Sequence, residues 1–192
     1  MILISAHRDT IKNSYRYAYK AGEFKGLLDN AIGVLVCQSL LLEEKNIVSL
    51  EKKEQISYFF GTGEEWALSE DFPELSKEHI VIVVDVASGD DYEGIDFSIE
   101  NISGFTSDEI LETKEHLEWE GFKLISKEYD ATPESEDESW QWRKLGYKVI
   151  SFIIPIQNGN THTGWHVDDC TVSIEVVVKA KEGLKRLINK LL

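Results

Sequence analysis

His79-Ile80-Val81-Ile82-Val83-Val84-Asp85-Val86 constrains this chain more than any other stretch. An unbroken β-branched run has no polar side to turn to water, so it reads as a strand buried on both faces. Strands of that kind belong to parallel or mixed sheets covered by helices. The run ends in an acid. Asp85 therefore stands at the carboxyl end of its strand, where α/β sheets place ligand-binding groups. His79 precedes the strand, at the opposite end, and reads as structural.

The rest of the chain supplies the layers such a strand needs. Further strands are expected over 1–6, 56–60, 95–101 (an edge or antiparallel strand), 121–129 and 148–155. A buried helix is expected from Asp29 or Asn30 to Glu44, and a short one over 66–70. Thr106-Ser107-Asp108-Glu109 reads as a helix cap opening a helix to about Trp119. Residues 140–145 continue a helix that Gly146 ends. The last helix runs from about Ser173 to Leu192, with basic residues toward its end. Residues 11–28 read as a loop with a hairpin, and 132–139, TPESEDES, as an acidic loop and helix start. The alternation predicts an α/β fold, a three-layer α/β/α sandwich with a mixed, mostly parallel sheet. At 192 residues one domain is expected.

Composition narrows function. The net charge is −15, from 20 basic and 35 acidic residues. Such a surface repels phosphate backbones, which argues against a nucleic-acid partner. No apolar stretch approaches the roughly 20 residues that span a bilayer, so no membrane partner is expected. The first ten residues have no basic start and no small-residue cleavage site, which makes the cytoplasm the expected compartment. Cys37 and Cys170 match no CxxC pattern and read as free thiols.

Chemistry-bearing residues recur at strand ends and helix starts. His7 and Asp9 close the first strand two residues apart, so both can point the same way. Asp29 precedes the first helix, where capping alone would account for it. ISYFFGTGEE ends a strand at a glycine turn and then sets Glu64 beside Glu65. Adjacent like charges at a strand end call for a shared cation or proton, unless they are two solvated acids opening a helix. Asn158, His162, His166, Asp168 and Asp169 form a late polar cluster.

Taken in order, SAHRDT, GLLDNAIGV, GTGEEWAL, the strand into Asp85 and IPIQNGNTHTGWH resemble the co-catalytic zinc exopeptidases. These are aminopeptidases and carboxypeptidases that use two adjacent metals, and the resemblance runs over nearly the whole chain. It implies a zinc-exopeptidase-like fold and a single catalytic metallopeptidase domain over 1–192 without a lid or dimerisation insert. It implies two divalent metal ions, zinc first, with cobalt or manganese as substitutes. His7 and Asp85 would bind one and Glu65 and a late histidine the other, with Asp29 bridging them. His162 is preferred as that histidine and His166 is the alternative. Glu64 would be the general base and Asp9 would orient His7. The peptide after the bridging aspartate is often cis in such proteins, which would place a cis bond at Asp29–Asn30. Asp137 and Glu138 fall where relatives line the pocket for the substrate's amino end, unless they belong to a solvated turn.

The expected activity is hydrolysis of short peptides by an aminopeptidase. The alternatives are an amidohydrolase or deacylase on N-acylated amino acids or small amides, and a non-catalytic metal-binding domain of the same fold. Relatives usually carry a helix and one or more strands before the first strand seen here. Their absence would leave a sheet edge open to a second copy of the chain, a homo-oligomer.

Overall fold

A computed structural model describes residues 1–8, 16–47, 55–61, 72–129, 138–157 and 170–192. In chain order the elements are β1 Ile2–His7, β2 Arg16–Lys20, β3 Glu23–Leu27, α1 Ala31–Ile47, β4 Ile56–Gly61 and β5 Ile80–Ala87. A short 3₁₀ turn at Asp90–Tyr92 follows, then β6 Phe97–Ser103, α2 Ser107–Trp119 and β7 Leu124–Glu128. The chain continues with α3 Glu138–Lys144, β8 Lys148–Pro155, β9 Cys170–Ser173 and α4 Ile174–Leu191.

Six strands form the main sheet in the order β4-β1-β5-β8-β6-β7. All neighbours run parallel except β6, which is antiparallel to β8. The sheet is mixed and mostly parallel, as the buried β-branched run requires. Alternate residues divide it into two faces. Ile2, Ile4, Ile82, Val84 and Phe152 pack toward α1 and α4. Leu3, Val81, Val83 and Val149 pack with Trp142 of α3 on the other face. The result is a three-layer α/β fold. The strand expected at 95–101 lies two residues later and inside the sheet. Its outer neighbour β7 and the opposite strand β4 form the two edges, while β1 is flanked on both sides.

Local chemistry fixes the helix ends. Thr106 caps α2 through a bond from the Glu109 amide, and the Glu109 side chain accepts from the Thr106 amide at 2.7 Å, a complete capping box. Ser173 caps α4 by accepting from the Val176 amide. The second sheet, β2-β3-β9, contains the expected hairpin. Its third strand, β9, lies where the sequence reading saw only a polar stretch running into a helix. The expected helix at 66–70 lies outside the described residues. Cys37 and Cys170 are both buried. Among the described residues no helix is long and apolar enough to cross a membrane.

One close contact sets the depth at which α4 seats. A Cβ on Gly183 would lie 2.2 Å from Phe97 Cε1, and that ring is fully buried and stacked on Phe152 at 4.6 Å. Gly183→Ala gains about 1 kcal/mol of helix propensity. Overpacking a core costs about 1–3 kcal/mol, and a contact this short takes the upper part of that range. Net destabilisation is the expected result, read as a lower midpoint in urea denaturation.

Candidate metal centre

Three side chains far apart in sequence meet at the carboxyl end of the sheet. β1 and β5 are parallel neighbours with Ser5 beside Val83. Two residues further along that register, His7 comes level with Asp85. The chain leaves β1 for β4 on one side and leaves β5 for strands on the other. This parting of connections is the switch point where open α/β sheets bind ligands. Asp29 arrives from a third direction, at the turn into α1.

His7 Nε2 lies 3.4 Å from Asp85 Oδ1 and 3.9 Å from Asp29 Oδ1. One ligand atom from each of the three lies within 4.8 Å of the others. His7 is 2% exposed and Asp29 0%. Two carboxylates and an imidazole so placed, one acid wholly buried, concentrate negative charge away from water. Burial of that kind calls for a cation. Imidazole nitrogen and carboxylate oxygen are the donor types that zinc, cobalt and manganese accept, so the residues present fit a divalent metal.

Asn30 braces this arrangement. Its Nδ2 donates to Val84 O at 2.8 Å and to His7 O at 3.4 Å. One side chain thus ties the start of α1 to the ends of both strands. It adopts φ +28°, in the left-handed region that asparagine tolerates better than most residues. The brace needs Gly33, whose added Cβ would lie 1.9 Å from Asn30 Oδ1 and 3.1 Å from Val84 O. No cis peptide occurs among the described residues, so the cis bond expected at Asp29–Asn30 is corrected to trans. The sequence offered one signal for Asn30: an asparagine directly after a candidate ligand and before a helix.

Glu138 is not part of a solvated turn. It opens α3, is 3% exposed, and its Oε1 accepts from Ser5 Oγ and from Trp142 Nε1, the latter at 3.1 Å. Burial pushes its carboxyl up to about 7, against the opposing pull of the Ser5 bond and the nearby His7. Glu138 is among the expected pocket residues, but its contact with Ser5 carries no sequence signal because 133 residues separate the two.

β4 ends at Gly61, which pairs with His7, and the Arg8 amide donates to Gly61 O at 2.8 Å. The described part of β4 therefore ends beside His7. Glu64 and Glu65 themselves, with Asp9, Asp137, His162 and His166, lie outside the described residues. The structure brings together His7, Asp29 and Asp85 of the expected set. His79 sits at the other end of β5, where its Nδ1 lies 2.9 Å from Ser76 O, a structural role.

No family model matches the sequence, and no curated protein matches it. Solved structures do share the fold. The TET1 peptidase of Pyrococcus horikoshii, which assembles into a tetrahedron or a large octahedral shell, superposes with a TM-score of 0.56 at 16% identity, over 91% of this chain and 53% of its own. Aminopeptidase I from Clostridium acetobutylicum gives a TM-score of 0.58 at 13% identity, over 92% of this chain and 46% of its own. The S. cerevisiae mApe1 dodecamer gives 0.53 at 11%, over 92% and 50%. This chain spans about half the length of these three structures, and at these identities the likeness is one of fold.

Proposed function

We propose that this protein is a metal-dependent exopeptidase, an aminopeptidase acting on short peptides. The observation that carries the reading is the convergence of His7, Asp29 and Asp85 at the sheet's switch point, with ligand atoms within 4.8 Å of one another. Its support from other proteins is the shared fold with aminopeptidases.

In this reading His7 and Asp85 would hold one cation, Glu65 and His162 (or His166) would hold a second, and Asp29 would be the ligand shared between them. When bound, the ions lower the pKa of water and polarise the scissile carbonyl. The protein's own groups do the rest. Glu64 accepts a proton from the attacking water as the water oxygen bonds to the carbonyl carbon. It returns that proton to the departing nitrogen as the C–N bond breaks. Asp9 and Asn30 keep the His7 imidazole and its strand in place, so that little reorganisation is needed during the reaction. Asp137 would serve the amino-end side of the substrate in this reading. Self-assembly of this chain is part of the same reading, in line with the shells and dodecamer formed by proteins of this fold.

The test is hydrolysis of aminoacyl anilides and di- and tripeptides after loading with zinc, cobalt or manganese. Activity should need the metal, disappear with a chelator and return when metal is restored. Asp85→Ala should lower it about 10²-fold or more, since an ion stabilising the transition state contributes several kcal/mol. A loaded, folded protein that cleaves none of these substrates sinks the proposal.

A further inference from the structure

Beneath the three converging side chains lies a fourth acid. Leu3, Ser5 and His7 alternate onto the same face of β1, the face that α3 covers. Glu138 Oε1 is bonded to Ser5, so its carboxyl sits one side-chain step below His7, about 7 Å along the strand. Trp142 Nε1 lies 3.1 Å from Ser5 Oγ and 3.1 Å from Glu138 Oε1, closing a three-membered cluster. The other oxygen, Oε2, is buried and has no hydrogen-bond partner among the described residues. No described lysine or arginine is bonded to this carboxyl. A buried carboxylate with one oxygen unsatisfied is costly unless a nearby cation balances it.

We propose that Glu138 is a positioning residue of the metal centre: its buried carboxyl, clamped by Ser5 and Trp142 under His7, supplies negative potential that strengthens cation binding at His7, Asp29 and Asp85. This rests on the metal-site reading given above and extends it to a residue that touches no metal. Outer groups of this kind typically carry a 10- to 100-fold share of metal affinity. Ser5 makes the link mechanical as well as electrostatic, because it stands two residues from His7 on the same strand.

Cobalt affinity at pH 8, measured by competition with a chromophoric chelator, tests this. The proteins compared are wild type, Glu138→Gln, Ser5→Ala and Asp85→Ala, each with its melting temperature. Glutamine keeps an oxygen to accept from Ser5 and Trp142, so a purely structural role survives the change and a field effect does not. The expected result is cobalt binding about 10-fold weaker in Glu138→Gln, with the fold retained. Ser5→Ala, which leaves the charge but loosens its clamp, should lose several-fold. If Glu138→Gln binds within twofold of wild type while Asp85→Ala binds poorly, this inference fails and the metal site stands. Should Glu138→Gln not fold, Ser5→Ala decides by the same criterion. A wild-type protein that binds no cobalt overturns both.

Discussion

Metal-loaded Glu64→Gln is expected to lose about 10²–10⁴-fold in kcat while keeping its metal content, the range that a positioned general base contributes. Glutamine has the shape of glutamate and no proton affinity to offer the attacking water. The end of β4 makes the prediction specific. β4 delivers its last residue, Gly61, level with His7. Glu64 is three residues further along the chain, and Glu65, next to it, is proposed as a metal ligand. The two glutamates should therefore fail differently. Glu65→Gln should release metal, whereas Glu64→Gln should hold it and not turn over. Metal analysis beside initial rates separates the two. If Glu64→Gln retains more than a tenth of wild-type kcat, the general base is another group.

The second large effect is on stability. Trp142→Ala should cost about 3–5 kcal/mol, the range for removing a buried aromatic side chain. Trp142 is fully buried and centres an aromatic cluster, with Phe72 at 4.5 Å, Tyr147 at 5.6 Å and Phe59 at 5.8 Å between ring centroids, all edge-on. Its indole N–H also serves Ser5 and Glu138. Truncation opens a cavity under the sheet and strips a donor from a buried carboxyl. For a domain whose whole stability is about 5–15 kcal/mol, that is a large fraction. Trp142→Phe keeps most ring contacts and loses only the donor, so it should cost about 1–3 kcal/mol. Urea denaturation of the two variants apportions packing and hydrogen bonding. Equal losses would show that the donor, not the ring, holds α3.

Much of this fold was legible in the sequence because burial on both faces leaves an unbroken apolar run. Ile80–Ala87 and Lys148–Pro155 announce themselves in that way, the edge strand Ile56–Gly61 by its aromatic run, and Thr106 with Glu109 writes out a capping box. β9 did not show. Cys170–Ser173 is only four residues long, and it becomes a strand by pairing with β3, about 145 residues earlier in the chain. The site was legible to the same extent. His7 and Asp85 sit at strand ends, so a parallel register alone brings them level. Glu138 was legible as a site candidate but not as a buried one, since the acids before it, Glu134, Glu136 and Asp137, also describe a solvated turn. What buries it is Trp142 one helical turn on and Ser5 on β1, and the second of these contacts leaves no local trace. Asn30 was read as a cap candidate. Its reach across two strand ends depends on Gly33 letting α1 come close to β5.

The direction of the strands sorts the molecule's turns into two populations. β1, β4, β5 and β8 all point their carboxyl ends toward the candidate metal centre. The turns that enter β5 and β8 gather at the other pole. There Ser76, Lys77 and Glu78 lie exposed, and the Lys77 ammonium rests 4.2 Å from the centre of the Tyr147 ring. Among the described residues that pole carries none of the three side chains of the candidate centre. Extra sequence grafted at Lys77–Glu78, a tag or a whole partner domain, would enlarge the protein at a distance of a full strand from His7, Asp29 and Asp85. Room for growth and the candidate site thus lie at opposite poles of one sheet.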